Sequence, residues 1–151
     1  MYLVGLGAVG SLINHYISPK VILNIVKVPS MIFTSLKGIK SPLKIQLDSG
    51  KDEIDTLIVA TKAHQTLDAL KPLIPRLSQN SMIYLFQNGG LAIRDELIGS
   101  GLFPCPINLV SISHGIARKD NTITHTGMGS IFIKDGGILP TVLSKGIMKE
   151  F

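Results

Sequence analysis

A glycine-rich turn near the start of the chain constrains the fold more than any other segment. Residues 5–10 read Gly-Leu-Gly-Ala-Val-Gly, which satisfies the pattern G-x-G-x-x-G. The apolar residues 2–4 precede the turn, and residues 12–17 follow it with the apolar spacing of a helix. In this setting the first glycine permits a tight turn, the second admits a pyrophosphate close to the backbone, and the third lets the helix pack on the strand. The segment predicts a dinucleotide-binding turn, with a glycine turn that binds nothing as the alternative.

Further along the chain, apolar runs alternate with segments of helical composition. Such alternation predicts parallel strands joined by helices, which is the Rossmann-type, doubly wound α/β fold. The predicted strands after the first are 21–26, 55–60, 81–86 and 108–113, and the predicted helices after the first are 63–70, closed by Pro72 and Pro75, and 92–98.

The C-terminal part of the chain does not continue this alternation of strands and helices. Short strand-like pieces, separated by turn residues, occupy 116–118, 122–125 and 130–134. Pieces of this length joined by short turns favour antiparallel pairing. We therefore expect a mostly parallel sheet with an antiparallel addition at its edge near the C-terminal end. Residues 30–51 contain turn signals, while 31–36 and 43–47 could be short extended segments.

Composition places the chain in the globular class. The 151 residues are 45% hydrophobic and 17% charged, enough to bury one core and too apolar for a disordered chain. The single cysteine, Cys105, cannot form an internal disulfide and is expected to be an inert buried thiol. The histidines have no spacing that puts two of them on one helical face, so no metal is predicted. Packing or surface roles are expected for His15, His64, His114 and His125.

Charge and the N-terminal segment bear on partners and location. The formal net charge is +5, but the lysines are dispersed, which favours a merely basic protein or a small phosphorylated ligand over a nucleic acid. The first charged side chain is Lys20, yet glycines and polar residues interrupt the segment before it. A signal peptide or a membrane-spanning helix is therefore not expected. We expect a cytoplasmic protein, with the mitochondrion as the alternative.

Polar residues at the ends of predicted strands are the candidates for binding. An NAD site would place an acidic residue about 20 residues beyond the glycines, on the ribose 2′-hydroxyl. The chain has Lys27 there, which fits a 2′-phosphate and hence NADP, although an ordinary solvated lysine is the competing interpretation. Lys62 and Asn88 follow the strands 55–60 and 81–86 at the edge where doubly wound sheets bind ligands. Their alternatives are an exposed lysine and a turn residue.

Five motifs, taken in order, resemble the nucleotide-binding domain of the ketopantoate reductase family. They are GLGAVG at 5–10, VATKAHQT at 59–66, FQNGG at 86–90, SHGIARKD at 113–120 and THTGMGSIFI at 124–133. The resemblance implies NADPH-dependent reduction of 2-dehydropantoate, a keto acid, to pantoate on the route to pantothenate and coenzyme A. It also implies a single NADP-binding Rossmann-like domain over residues 1–151.

The resemblance also implies roles for individual residues. The backbone of residues 5–10 would hold the pyrophosphate, Lys27 the 2′-phosphate, and Asn88 both cofactor and substrate. Ile116 would make a main-chain contact near the nicotinamide, and His114 lies beside it in sequence. The implied cofactor-binding residues are Gly5, Leu6, Gly7, Ala8, Val9, Gly10, Lys27, Lys62, Asn88 and Ile116.

The chain departs from the family's pattern in two respects. Family members continue into a helical domain that supplies the general-acid lysine, and no lysine in residues 1–151 takes that role by motif. We therefore expect a chain that binds cofactor better than it turns over substrate, and that self-associates or has a partner covering the cleft wall. The asparagine motif also reads Asn-Gly-Gly in place of N-G-x-G. The alternative functions are a noncatalytic Rossmann scaffold in a larger, RNA-containing complex, and another keto-acid dehydrogenase.

Overall fold

The predicted order of strand, glycine turn and helix is present at the start of the chain. The computed structural model describes residues 1–23 and 30–133. Within it, β1 (Tyr2–Val4) leads into α1 (Ala8–Ile17), and β2 (Lys20–Ile22) returns parallel to β1. The predicted second strand thus starts one residue early, and its part from residue 24 onward lies outside the described residues.

The remaining strands and helices follow in the described part of the chain. The strands are β3 (Ile32–Thr34), β4 (Lys40–Pro42), β5 (Gln46–Leu47), β6 (Thr56–Val59), β7 (Met82–Leu85), β8 (Ile107–Ile112), β9 (Gly115–Lys119), β10 (Thr122–Gly127) and β11 (Ile131–Ile133). The helices are α2 (Thr66–Leu70) and α3 (Gly90–Gly99), with 3₁₀ turns at Ala63–Gln65 and Lys71–Arg76. Among residues 1–23 and 30–133, no helix is both long enough and apolar enough to cross a lipid bilayer.

The main sheet has the strand order β11-β8-β7-β6-β1-β2-β5. Its strands run parallel except β11, which pairs antiparallel with β8. The chain leaves β1 toward β2 on one side and continues from β6 to β7 and β8 on the other. This reversal is the topological switch point of a doubly wound sheet, where a crevice opens beyond the carboxyl ends of the strands.

A second sheet has the order β4-β3-β10-β9. The predicted antiparallel addition is confirmed for β11, but β9 and β10 form a hairpin that pairs with β3 away from the main sheet. The edge of β8 is already occupied by β11, so the hairpin pairs elsewhere. The inward residues Phe33 and Ile123 are fully buried beside α1. The four-stranded sheet therefore covers the helix that begins at the glycine turn.

Two apolar clusters lie on the two faces of the main sheet, as alternation along buried strands requires. Tyr2, Val4 and neighbouring strand residues pack against α2, the following 3₁₀ turn and α3. Leu3 and its neighbours pack against α1 and the second sheet. The central strands β1, β6 and β7 are therefore buried on both faces, which explains their nearly uninterrupted apolar sequences.

The segment after β6 differs from the predicted helix 63–70. It begins and ends as 3₁₀ structure, and the helical backbone continues through Pro72 and Pro75 to Arg76. The α-helix itself ends at Leu70, as the prolines predicted, and the segment that contains both prolines is a separate 3₁₀ helix, Lys71–Arg76, which tolerates Pro72 because the first turn leaves its N–H position unused. The predicted helix 92–98 begins at Gly90 and ends at Gly99.

Candidate functional site

Gly5 and Gly10 shape the turn between β1 and α1 through close backbone contact. Gly5 has a φ of +94°, and a Cβ there would lie 2.6 Å from the carbonyl carbon of Ala60. A Cβ on Gly10 would lie 1.9 Å from the carbonyl oxygen of Gly5. Any other residue at either position would push the turn away from β6. The first glycine therefore permits the tight turn and the third lets the helix pack closely, as predicted.

Gly7 differs from Gly5 and Gly10 because the space beside its α-carbon is empty. A Cβ on Gly7 would meet no atom within 4 Å. Gly7 caps α1, and the first bond of the helix runs from the Ser11 amide to the Gly7 carbonyl at 2.9 Å. The amides before Ser11 therefore stand outside the helical ladder, and the first turn carries no acidic residue. This geometry can bind an anionic group through backbone N–H groups and the helix dipole.

A glutamine joins the loops that follow β6 and β7. Gln87 Nε2 lies 3.0 Å from the Thr61 carbonyl oxygen and also contacts the Thr66 hydroxyl. The Thr66 hydroxyl in turn donates to the Lys62 carbonyl oxygen at 3.2 Å. Gln87 Oε1 is buried without a hydrogen-bond partner among the described residues. The Gln87 side chain thus holds the ends of both strands together. Its Oε1 lies at the edge of the crevice as an acceptor that a ligand could use.

Lys62 and Asn88 lie on these two loops, with exposed side chains. The structure therefore places both residues beyond the carboxyl ends of the paired strands β6 and β7, the position that the sequence predicted for them. The Asn-Gly-Gly variation has a local reason, because Gly89 takes a φ of +73° and caps α3. A Cβ on Gly90 would lie 3.0 Å from Leu109 Cδ2, so the second glycine serves packing.

Arg118 is a site residue that the sequence did not single out. Its Nη1 donates to the Leu6 carbonyl oxygen at 3.1 Å, across from β9 to the glycine turn. Its Nε donates to the Asp120 carbonyl oxygen at 3.2 Å. The side chain is exposed, so a guanidinium lies beside the turn that can bind an anion. The motif SHGIARKD contains this arginine, but strand alternation alone does not tell which face reaches the turn.

The turn between β8 and β9 is closely packed on the segment before β11. The Ser113 amide donates to the Ser130 carbonyl oxygen at 3.0 Å, and the Ser130 amide donates to the Ser113 hydroxyl at 2.8 Å. A Cβ on Gly129 would lie 2.3 Å from the His114 nitrogen. Ile116 follows this turn as a half-buried residue of β9, on the same strand as Arg118. The spacing of the glycines in THTGMGS is thus explained by contact between the two segments.

A cavity of about 510 Å³ opens beside Asn88. It lies between the start of α3 and the ends of β8 and β11. Its lining residues include Gln87, Asn88, Leu109, Ser111 and Phe132. The lining combines two carboxamides with apolar side chains, which suits a small organic molecule with a polar group.

A second cavity, of about 390 Å³, lies near the start of β8 and not beside the glycine turn. Cys105 lines it, and burial raises the pKa of its thiol. A raised thiol pKa lowers the thiolate fraction at neutral pH, so Cys105 is poorly suited to act as a nucleophile. Cys105 is buried, as the sequence predicted, and the raised pKa of its thiol agrees with the expectation of an inert residue.

The histidines have the packing and surface roles that the sequence predicted. His114 and His125 are buried, and His15 stacks on the Phe33 ring at a centroid distance of 3.8 Å. His64 is exposed. Within residues 1–23 and 30–133, no three His, Cys, Asp or Glu side chains come together as a metal site would require.

Lys27 lies outside the described residues, so its predicted contact with a 2′-phosphate stays a prediction. The other predicted cofactor-binding residues lie in four segments around one edge of the main sheet. Gly5 touches Ala60 after β6, Gln87 joins the ends of β6 and β7, and Arg118 reaches Leu6 from β9. The arrangement can hold an extended anionic ligand across the switch point.

Comparison with known proteins gives a family for this sequence. Residues 1–137 match the family described as ketopantoate reductase PanE/ApbA. A 2-dehydropantoate 2-reductase of Vibrio cholerae is 33% identical over 76 residues, covering 50% of this chain and 25% of that protein. A 2-dehydropantoate 2-reductase of Saccharomyces cerevisiae is 33% identical over 87 residues, covering 55% of this chain and 23% of that protein.

A solved structure shows the same fold. A dimeric ketopantoate reductase from Staphylococcus aureus superposes with a TM-score of 0.71 at 21% identity, covering 98% of this chain and 51% of that one. The chain therefore spans about half the length of this structural relative, and the matched segments span about a quarter of the curated relatives.

Proposed function

The chain belongs to the ketopantoate reductase family, and from that membership we propose that residues 1–151 form the NADP-binding domain of an oxidoreductase that reduces 2-dehydropantoate to pantoate. The observation that carries the proposal is the open side of Gly7 at the start of α1, beside the ends of β6 and β7. The glycine turn leaves room for a pyrophosphate at the point where a doubly wound sheet binds dinucleotides.

The residues around the turn fit a dinucleotide in several respects. Backbone amides at the start of α1 would bind the pyrophosphate, and the Arg118 guanidinium beside Leu6 adds positive charge. The exposed Lys62 would contact the cofactor, and the buried acceptor Gln87 Oε1 suits a hydroxyl donor such as a ribose. Lys27 would bind the 2′-phosphate and so select NADP over NAD.

Asn88 and the cavity beside it would hold the keto acid. A bound nicotinamide supplies a hydride to the carbonyl carbon, and the protein orients the two reactants. The Asn88 carboxamide can donate a hydrogen bond to an oxygen of the keto acid and accept one from the cofactor. We propose that the general acid lies outside residues 1–151, so this part of the protein binds and orients without completing the proton transfer.

A titration with NADPH and with NADH, followed by nicotinamide fluorescence, tests the proposal. Gly7→Asp fills the open side with a negative charge and should abolish binding of both nucleotides. Gly99→Asp is its matched control, because Gly99 is equally open and lies at the far end of α3. Lys27→Ala should weaken NADPH binding and leave NADH binding unchanged, whereas the exposed Lys51→Ala should change neither. Absence of binding by the unaltered chain would overturn the proposal and favour a noncatalytic scaffold.

We also propose that the chain works as a homo-oligomer or with a partner that covers the cleft wall. The S. aureus relative is described as dimeric. Leu91 and Phe132 expose 47% and 62% of their surface at the ends of α3 and β11, where a second surface could bury them. Light scattering that gives the monomer mass at micromolar concentration would contradict self-association. Cytoplasmic location stays the expectation from the sequence.

A further inference from the structure

Three side chains form a chain of hydrogen bonds inside the protein. Tyr16 Oη lies 3.1 Å from His125 Nδ1, and His125 Nε2 lies 3.0 Å from His114 Nδ1. His125 is 2% exposed and His114 is 8% exposed. Both ring nitrogens of His125 are thus engaged, one on each side. An imidazole with both nitrogens bonded is fixed in its plane as well as in its position.

The three side chains belong to three separate elements. Tyr16 lies near the end of α1, the helix that begins at the glycine turn. His125 lies in β10, and His114 lies in the turn between β8 and β9. In the β9–β10 pairing, His125 stands directly opposite Ile116. His125 therefore holds the segment 114–116 twice, through the backbone ladder and through the side chain of His114.

The chemistry of neutral imidazole determines which atom donates and which accepts in each of these hydrogen bonds. One ring nitrogen of a neutral histidine donates and the other accepts. If the Tyr16 hydroxyl donates to His125, then His125 donates to His114 Nδ1, and His114 carries its proton on Nε2. Burial, and after it the neighbouring His125, lowers the pKa of His114, which favours the neutral ring that this arrangement needs.

His114 Nε2 is the last atom of this hydrogen-bonded series. It is buried, and it has no hydrogen-bond partner among the described residues. Leaving a buried polar atom without a partner is unfavourable, so a site that retains one often uses it for a ligand. The neighbouring Gly129 leaves the backbone of the 113–115 turn no room to shift toward β11. The turn is thus held from the β11 side by backbone contact and from the α1 side by the two histidines.

We propose that Tyr16, His125 and His114 position the segment 113–116 for the nicotinamide end of the dinucleotide, with His125 as the positioning residue at the centre. This inference rests on the proposed cofactor site, because the nicotinamide end is defined only if a dinucleotide binds with its pyrophosphate at the glycine turn. With its pyrophosphate at the glycine turn and its adenosine end on the β2 side, the dinucleotide would extend its nicotinamide end toward β6, β7 and β8, and the segment 113–116 directly follows β8. The hydrogen-bonded chain therefore acts on one end of the ligand.

Comparing the binding of two ligands distinguishes this positioning role from a general contribution to stability. NADPH carries the nicotinamide, whereas 2′-phospho-ADP-ribose has the same adenosine, phosphates and ribose without it. Tyr16→Phe removes one hydroxyl and frees the ring of His125 to turn, and His125→Phe removes both bonds at similar volume. We expect each variant to weaken NADPH binding by about three- to tenfold, the effect of one lost hydrogen bond, and to change binding of the analogue by less than about twofold.

Tyr84→Phe is the matched control, because it also removes a buried tyrosine hydroxyl from the same side of the sheet. It should change neither affinity. If Tyr16→Phe and His125→Phe weaken both ligands equally, or weaken neither, the positioning role is overturned while the proposed function stands. If the unaltered chain binds neither ligand, the proposed function fails and this inference fails with it. Should His125→Phe not fold, Tyr16→Phe alone decides, because it deletes a single atom.

Discussion

Asp48 and Arg76 form a bidentate ion pair beside β5, an edge strand of the main sheet. Arg76 Nη1 lies 2.6 Å from Asp48 Oδ2, and Nη2 lies 3.0 Å from Oδ1. The Asp48 side chain is only 4% exposed and that of Arg76 15%. The pair joins the segment after β5 to the end of the 3₁₀ turn that follows α2, so it ties together two segments that cover the start of the main sheet.

Loss of this ion pair should destabilise the fold. Asp48→Asn leaves the Arg76 charge nearly buried without a counter-ion, so we expect the free energy of unfolding to fall by about 2 to 4 kcal/mol. Asp68→Asn is the control, because its partner Lys71 is 3.7 Å away and both side chains are largely exposed. That control should change the free energy by about 0.5 kcal/mol or less. Urea unfolding of the two variants measures both values, and equal effects would contradict the prediction.

Acid should destabilise the protein through His114 before it does so through carboxylates. Burial, followed by the nearby His125, lowers the pKa of His114 below its ordinary 6.5. The unfolded chain therefore binds more protons than the folded chain in the interval between the folded pKa and 6.5. The free energy of unfolding should decrease as the pH falls through 6.5 and level off below the folded pKa. His114→Phe should flatten this part of the pH profile, and an unchanged slope would refute the assignment.

Arg118 should contribute to anion binding at the glycine turn. Arg118→Ala removes the guanidinium that bonds to Leu6, and we expect NADPH binding to weaken by about three- to tenfold. Lys119→Ala is a close control, because the neighbouring exposed lysine points to the opposite face of β9. Fluorescence titration at two salt concentrations measures both variants. Equal losses would show that general positive charge, and not the position of Arg118, supports binding.

The third glycine of the motif should be indispensable for stability. Gly10→Ala drives a methyl group against the Gly5 carbonyl oxygen, so we expect the free energy of unfolding to fall by about 2 kcal/mol or more. Gly99→Ala places the same methyl group in open space within a helix and should raise stability by up to about 1 kcal/mol. Thermal unfolding distinguishes the two. A tolerated Gly10→Ala would mean that α1 can shift away from β1.

The local parts of the fold were predictable, and the parts set by distant pairing were not. The strand, glycine turn and helix at residues 2–17 follow from neighbours in sequence, so their order and role were read correctly. The β3 strand lies within the run 31–36 that could be extended, but its parallel pairing with β10 was not predicted, because β10 lies about 90 residues away and nothing local marks that pairing. The end of α2 at Leu70 was predicted correctly from the prolines that follow it, whereas the 3₁₀ helix Lys71–Arg76 was not predicted, because a proline near the start of a helical turn loses no hydrogen bond.

In the candidate site, too, the residues set by local sequence were predictable and those brought together by distant pairing were not. Lys62 and Asn88 were found because polar residues that follow apolar strands share one edge of a parallel sheet. The role of Gln87 in joining two loops was not predicted, since its bonds to Thr61 and Thr66 exist only once β6 and β7 pair. His114 and His125 meet because β9 and β10 form a hairpin, and Tyr16 joins them from the far end of α1. Single-sequence patterns carry no signal for such a meeting.

The parallel pairing of β3 with β10 has a consequence for the order in which the chain can fold. Residues 32–34 leave the ribosome long before residues 122–124, yet neither strand completes the sheet without the other. Contacts between such distant segments form late because a long loop must close first. During synthesis α1 can therefore pack on β1 while its outer face still awaits the second sheet. Until β10 has been synthesised, the helix that follows the glycine turn is covered on one side only. During this interval its exposed apolar surface can bind a chaperone.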